Sequence, residues 1–289
     1  MSMMQKIMET VVQYMPDKEP DPLMRKHGYI GKPFSRVDGR LKVTGEASFS
    51  AEFKLENLVY AAIVCSTIAK GKITEIDSAE AEKAVGVLAI ITFENAPEMN
   101  APPVYDMSGG SRGAAGSDLP ILRDEQIYYD GQPIAVVVGE TQEQAEHAAS
   151  LVKVEYETET AAVSFDDLKA EAFPPPTVLG EPPKVAIGDV IKGLNDAEFV
   201  VDNIYRTPRY NPNAIEPHAT IAAWEADETL MIYDSTQNLY AIRNTLAKMF
   251  DLAEEKVRVV APFVGGGFGG KGMLWDNTAL CAVVAVAPL

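Results

Sequence analysis

Five of the six residues from Gly265 to Gly270 are glycine, and this cluster constrains the fold more than any other feature of the chain. A helix or strand interior loses stability at each glycine, so such a run has to be a turn. It follows the strand-like Val257-Arg258-Val259-Val260 and precedes Met273 to Val286, an apolar stretch that reads as a buried helix. The local plan is therefore strand, glycine turn, helix. With almost no side chains in the way, backbone N–H groups can crowd against an anion or the rim of a large cofactor. A tight connection without a ligand accounts for a glycine-rich turn equally well.

Two phosphate-binding patterns come close and fail. Gly265, Gly267 and Gly270 satisfy G-x-G-x-x-G, but the ribose-binding acid expected about 20 residues later has no counterpart. Residues 277–289 contain no Asp or Glu. Gly265 through Gly270-Lys271 approximates a Walker A loop, yet Gly272 stands where a Ser or Thr hydroxyl has to reach magnesium.

Charge excludes other classes. Forty-two acidic residues against 25 Lys and Arg give a formal charge of −17, which repels nucleic acid and anionic membrane surfaces. Cys65 and Cys281 stand alone, without the spacing of a zinc site or an iron–sulfur cluster. The longest apolar run, Ala279 to Leu289, is too short to cross a bilayer, which takes about 20 residues. Met1 to Tyr14 lacks the apolar core of a signal peptide. The expected location is cytoplasmic, or periplasmic if a partner carries an export signal.

With 289 residues, the natural expectation is two domains. Residues 1–30, rich in Met and Pro, read as a flexible N-terminal arm. Residues 31–160 read as an α+β domain, 161–185 as a Pro-rich linker and 186–289 as the start of a second domain. In the first domain, Leu58 to Val64, Val87 to Thr92 and Pro133 to Val138 have the composition of buried strands. Thr141-Gln142-Glu143-Gln144 is a capping box opening a helix to about Ser150, and Val152 to Glu157 alternates as a half-exposed strand. Ser108 to Ser117 interrupts this order as a long loop.

In the second domain, Ala219 to Trp224 and Thr229 to Tyr233 form a hairpin. Ile242, Leu246, Met249 and Phe250 then mark one face of a helix. An uncapped apolar helix reads as an incomplete ending, with an apolar face at Thr278 to Val286 expected to be exposed. Cys65 and Cys281 read as core thiols, His27 and His147 as solvent-facing, and Arg243 as either near the glycine loop or on the surface. His218 lacks a second ligand nearby, and Glu216 is a candidate for orienting neighbouring backbone.

The string Phe263-Val264-Gly265-Gly266-Gly267-Phe268-Gly269-Gly270-Lys271 resembles the molybdenum-cofactor loop of the xanthine dehydrogenase/aldehyde oxidase family, the molybdenum hydroxylases. Other segments agree in order. Gly31-Lys32-Pro33 with Arg36 to Gly45 resembles the opening of the family's large subunit, and Asp130 to Ala135 resembles its hammerhead domain. Asn213 to Ala219 and Asp234-Ser235-Thr236-Gln237 resemble the start of the cofactor-binding region. The resemblance spans about residues 31–286.

It implies an α+β chain: an α/β hammerhead domain followed by the start of a mixed α/β molybdenum-cofactor domain, truncated relative to the family. It implies hydroxylation of aldehydes or heteroaromatics with water-derived oxygen. Molybdenum would be held by molybdopterin, in a dinucleotide form, with no direct protein ligand. Gln237 matches the glutamine that approaches the apical oxo group, and Gly266, Gly267, Phe268, Gly269 and Gly270 match the residues lying against the cofactor. The implied partners are an Fe-S subunit with [2Fe-2S] clusters, an FAD subunit and a polypeptide carrying the rest of the molybdenum domain, including the general-base glutamate. Purine-oxidising members have Glu where Gly272 stands, so the bacterial aldehyde-oxidising branch is nearer. On this reading the chain is inactive alone. The alternative is a non-catalytic remnant or assembly module of the same family.

Overall fold

The computed structural model describes residues 32–106, 113–118 and 121–287. The expected N-terminal arm, His27, and residues 108–112 of the long loop lie outside the described residues. In chain order the elements are α1 (Gly39–Thr44), β1 (Tyr60–Cys65), β2 (Gly71–Asp77), β3 (Val87–Thr92), β4 (Gln126–Ile127), β5 (Pro133–Gly139), α2 (Gln142–Leu151), β6 (Lys153–Thr158), α3 (Phe165–Leu168), α4 (Val190–Asp196), β7 (Thr220–Trp224), β8 (Leu230–Asp234), α5 (Leu239–Met249), β9 (Val257–Val260) and α6 (Asp276–Val286). The chain forms two compact units.

The smaller unit joins the residues up to Glu46 to Phe173–Asn211. Its α1 stops at Gly45, which is left-handed (φ 76°) and donates its N–H to Leu41. Its α4 is capped by Asp189, whose carboxylate accepts from Lys192 N at 2.9 Å. Residues 197–211 have no regular structure.

The larger unit, Ala47–Ala172 with the chain from Pro212 onward, holds three three-stranded sheets. In the first, β5 lies between β1 and β3, antiparallel to both, and is buried along its whole length. The second has the order β4-β2-β6, also antiparallel. In the third, β7 and β8 form the expected hairpin, and α5 carries the chain over to β9, which runs parallel to β8. The apolar face of α5 is buried through Ile242, Leu246 and Met249, matching the sequence period.

Two elements are buried differently from what their composition predicts. The strand β1 sits at a sheet edge and is not buried: Tyr60 and Ile63 are about 40% exposed, and Cys65 at its end is exposed rather than a core thiol. Apolar composition does not tell an edge strand from a central one. The apolar helix α6 is not exposed either. Its Leu280, Val283 and Val284 pack with Ile91, Val136 and Val138 of the first sheet, while Ala279 and Ala282 pack with Leu230 and Ile232 of the third. A helix apolar on all sides is satisfied by a layer on each side. Each fully buried Leu or Val there contributes about 1.5–3 kcal/mol.

Candidate functional site

The glycine loop leaves β9 and re-enters regular structure at α6, whose N-cap residue Trp275 offers no side-chain cap. Within it the backbone turns sharply: Gly266 and Gly269 are left-handed at φ 97° and 90°, and so is Phe268 at 48°. A bulky residue in that region costs about 1–3 kcal/mol and persists only where surrounding contacts impose it. The Phe268 ring folds back over Gly266, where an added Cβ would lie 2.8 Å from it, yet the residue stays 77% exposed. No hydrogen bond within the described chain uses the N–H groups of Gly266, Gly267, Phe268 or Gly269. The loop thus holds four backbone donors without an acceptor among the described residues, next to an exposed aromatic ring.

Gln237 meets this loop. Its backbone N–H donates to Lys271 O at 2.8 Å, which brings its side chain over Gly267. A Cβ on Gly267 would sit 2.3 Å from Gln237 Oε1, so any side chain there would push the Gln237 amide out of this position. The Gln237 amide is exposed and makes no side-chain hydrogen bond in the described chain. Below it, the Asp234 carboxylate is buried and accepts from Thr220 Oγ1 (2.6 Å) and Thr278 Oγ1 (2.9 Å). Burial pushes its pKa up against those two hydroxyl bonds. The network fastens the end of β8 to β7 and α6, and so fixes where the chain turns into Ser235-Thr236-Gln237.

The far end of the loop is clamped by charge. Lys271 Nζ reaches Glu216 Oε2 at 2.7 Å and Glu216 O at 2.9 Å, and its side chain is only 1% exposed. The same Oε2 accepts from Gly265 N at 2.6 Å, and Oε1 accepts from Ser50 Oγ at 3.4 Å. Burial works to raise the Glu216 pKa, but the Lys271 ammonium and the Gly265 N–H outweigh it and hold the carboxyl below its ordinary value. Because the ammonium of Lys271 points into the protein, it is not placed as a phosphate-binding lysine. Sequence reasoning gave Lys271 no structural role. The signal was present: it is the one charged residue between Arg258 and Asp276, and a lone charge in an apolar stretch needs a partner.

Around the loop, Trp275 donates its indole N–H to Gly270 O, and its ring lies 5.4 Å from that of His218. Burial, followed by the nearby Lys271, holds the His218 pKa below its ordinary value. Trp275 also lines a cavity of about 370 Å³, together with Tyr129, Gln132, Leu274 and Asp276 among others. There Tyr129 donates to Asp276 Oδ2 at 3.1 Å, and burial raises the pKa of both groups. Arg243 is paired with Glu254 at 2.9 Å, and His147 is exposed as expected. Cys281 donates to Thr220 O at 3.4 Å, with its thiol pushed up to about 12 by burial. Among the described residues, no cluster of three His, Cys, Asp or Glu side chains is placed to hold a metal ion, and no helix is long and apolar enough to cross a membrane.

Known proteins match this arrangement in two blocks. Residues 172–287 match the molybdopterin cofactor-binding domain, and residues 44–160 match the aldehyde oxidase and xanthine dehydrogenase a/b hammerhead domain. The aldehyde oxidoreductase molybdenum-binding subunit PaoC of Escherichia coli is 38% identical over 260 residues, which is 89% of this chain and 33% of that protein. A probable xanthine dehydrogenase subunit of Bacillus subtilis is 32% identical, across 84% of this chain and 32% of that one. Among solved structures, the aldehyde oxidoreductase of Desulfovibrio desulfuricans superposes with a TM-score of 0.72 at 25% identity, over 89% of this chain and 29% of the other. The chain spans about a third of the length of the curated relatives it matches.

Proposed function

Because the chain belongs to the aldehyde oxidase and xanthine dehydrogenase family of molybdenum hydroxylases, we propose that it supplies the hammerhead and the first cofactor-binding portion of a catalytic subunit oxidising aldehydes or heteroaromatics. The observation that carries this reading is the Gln237 amide, exposed, without a hydrogen-bond partner among the described residues, and lying against Gly267, where a side chain would displace it. The residues present fit a molybdopterin group. Backbone N–H groups from Gly266 to Gly269 have no acceptor among the described residues, so they would hold an anionic or oxygen-rich cofactor without adding charge. The Gly270 carbonyl is already taken by the Trp275 indole, which stiffens that end of the loop.

When bound, the molybdenum cofactor supplies the two-electron redox centre at which oxygen from water is transferred to a substrate carbon. The protein's part is positional. Gln237 would donate its amide hydrogen bond toward the metal's ligand sphere, and the Phe268 ring would exclude bulk water. The cavity beside Trp275 has the size and mostly uncharged walls for a small aldehyde or heteroaromatic substrate. A dinucleotide form of the pterin, an Fe-S subunit with [2Fe-2S] clusters, an FAD subunit and a polypeptide bearing the remaining cofactor contacts complete the proposed assembly, which we place in the cytoplasm.

The test is Gln237→Ala in the complex purified from its host, with molybdenum, pterin and partner polypeptides quantified. A molybdenum-replete variant losing about 100-fold in turnover supports the role, in line with the loss of one donor at a reacting centre. Unchanged turnover removes Gln237 from the chemistry. A wild-type complex with neither molybdenum nor pterin leaves the assembly-module reading instead.

A further inference from the structure

We infer that the Glu216–Lys271 pair is a positioning strut that shapes the glycine loop to accept its cofactor; the inference rests on the molybdopterin reading above. One carboxylate oxygen, Glu216 Oε2, binds both ends of the loop, Gly265 N at 2.6 Å and Lys271 Nζ at 2.7 Å, and so fixes the distance over which Gly266 to Gly270 must turn. Contact is close enough that a Cβ on Gly265 would lie 2.4 Å from Glu216 Cβ. The strut reaches beyond the loop. Lys271, held by its ammonium, offers its backbone carbonyl to Gln237 N at 2.8 Å and to Thr236 Oγ1 at 3.3 Å. The ion pair therefore sets the loop and the Gln237 backbone from a single anchor. In the opposite direction, Ser50, itself 2% exposed, ties the carboxylate to the turn that precedes β1.

Stability alone gives little reason for the pair. Two charges taken out of water recover their desolvation only with well-placed partners, and a neutral pair of similar volume is often as stable. What the charges add here is geometric. A carboxylate accepts at two oxygens and an ammonium donates along several directions, so two side chains hold two points of the backbone, Gly265 N and Glu216 O, and the Ser50 hydroxyl together.

The experiment is the double variant Glu216→Gln/Lys271→Met in the assembled complex, which removes both charges but keeps the side-chain volumes and an acceptor for Gly265 N. Pterin per polypeptide, measured after oxidation to its fluorescent form, is expected to fall about 10- to 100-fold, the range seen when supports of a bound group are lost. The thermal midpoint of the complex purified without cofactor is expected to stay at the wild-type value. Lys271→Arg, which retains the charge, is expected to recover part of the pterin. Unchanged pterin in the double variant overturns the inference. So does a fall in thermal midpoint or a failure to accumulate, because either makes the pair a stabiliser of the fold. A wild-type complex lacking pterin instead defeats the molybdopterin reading itself, and Gln237→Ala, which leaves the strut intact, is expected to keep its pterin.

Discussion

The chain makes two strand-to-helix passages that differ in almost every local respect. From β5 to α2 the connection is short, and Thr141 and Gln144 complete each other's hydrogen bonds at 3.1 and 3.3 Å in a reciprocal cap. From β9 to α6 the connection is long, α6 begins without a side-chain cap, and Phe268 sits in a left-handed conformation with its ring exposed. The first passage closes its cap on itself, with Thr141 N bonded to the Gln144 side chain and Gln144 N to the Thr141 hydroxyl. The second leaves four consecutive N–H groups without an acceptor among the described residues and relies on Glu216, far away in sequence, for its shape. Local rules are kept where the chain is scaffold and broken where it is a site.

The largest expected effect comes from adding one methyl group to each passage. In Gly267→Ala the new Cβ would fall 2.3 Å from Gln237 Oε1, and turnover of the complex is expected to drop about 100-fold while the thermal midpoint holds. In Gly139→Ala the Cβ would fall 2.9 Å from the Ala145 backbone N, and the expected cost is about 1–3 kcal/mol of stability with pterin retained. Equal effects of the two substitutions on pterin and on stability would erase the distinction.

Removing the cap is a smaller change. Thr141→Ala is expected to lower stability by about 1 kcal/mol in denaturant unfolding, again without loss of pterin.

The smallest effect is in acid. Burial raises the Glu216 pKa, the Lys271 and Gly265 partners outweigh it, and the folded value lies below the ordinary 4.5. The unfolded chain therefore binds the proton more readily, so this contribution to stability is complete above that range and is lost as pH falls through the folded value. The thermal-midpoint gap between wild type and Glu216→Gln should narrow on acidification. The gap for Thr141→Ala should stay constant, because neither Thr141 nor Gln144 titrates. A constant gap at Glu216 would mean that its carboxyl carries no charge-dependent bond in the folded state.

Much of this fold was legible from the chain because it rests on short-range chemistry. The cap at Thr141, the β7–β8 hairpin and the apolar face of α5 each depend on residues a few positions apart. So does the glycine run, whose composition alone demands a turn between β9 and α6. Burial was less legible. The apolar residues of β1 gave no sign that they would lie at a sheet edge, and those of α6 gave no sign of a sheet packed on each side.

The sequence by itself determined which segments could become strand, helix and turn, and it carried the ordered motifs that identify the family. Tertiary structure alone decided that Glu216 would close the loop from 55 positions before Lys271, and that Asp234 would be buried under hydroxyls from β7 and α6. The physical reason lies in the range of the forces. Backbone propensities and caps act within a turn or two, whereas a buried charge finds its partner only after the sheets and α6 have closed around it.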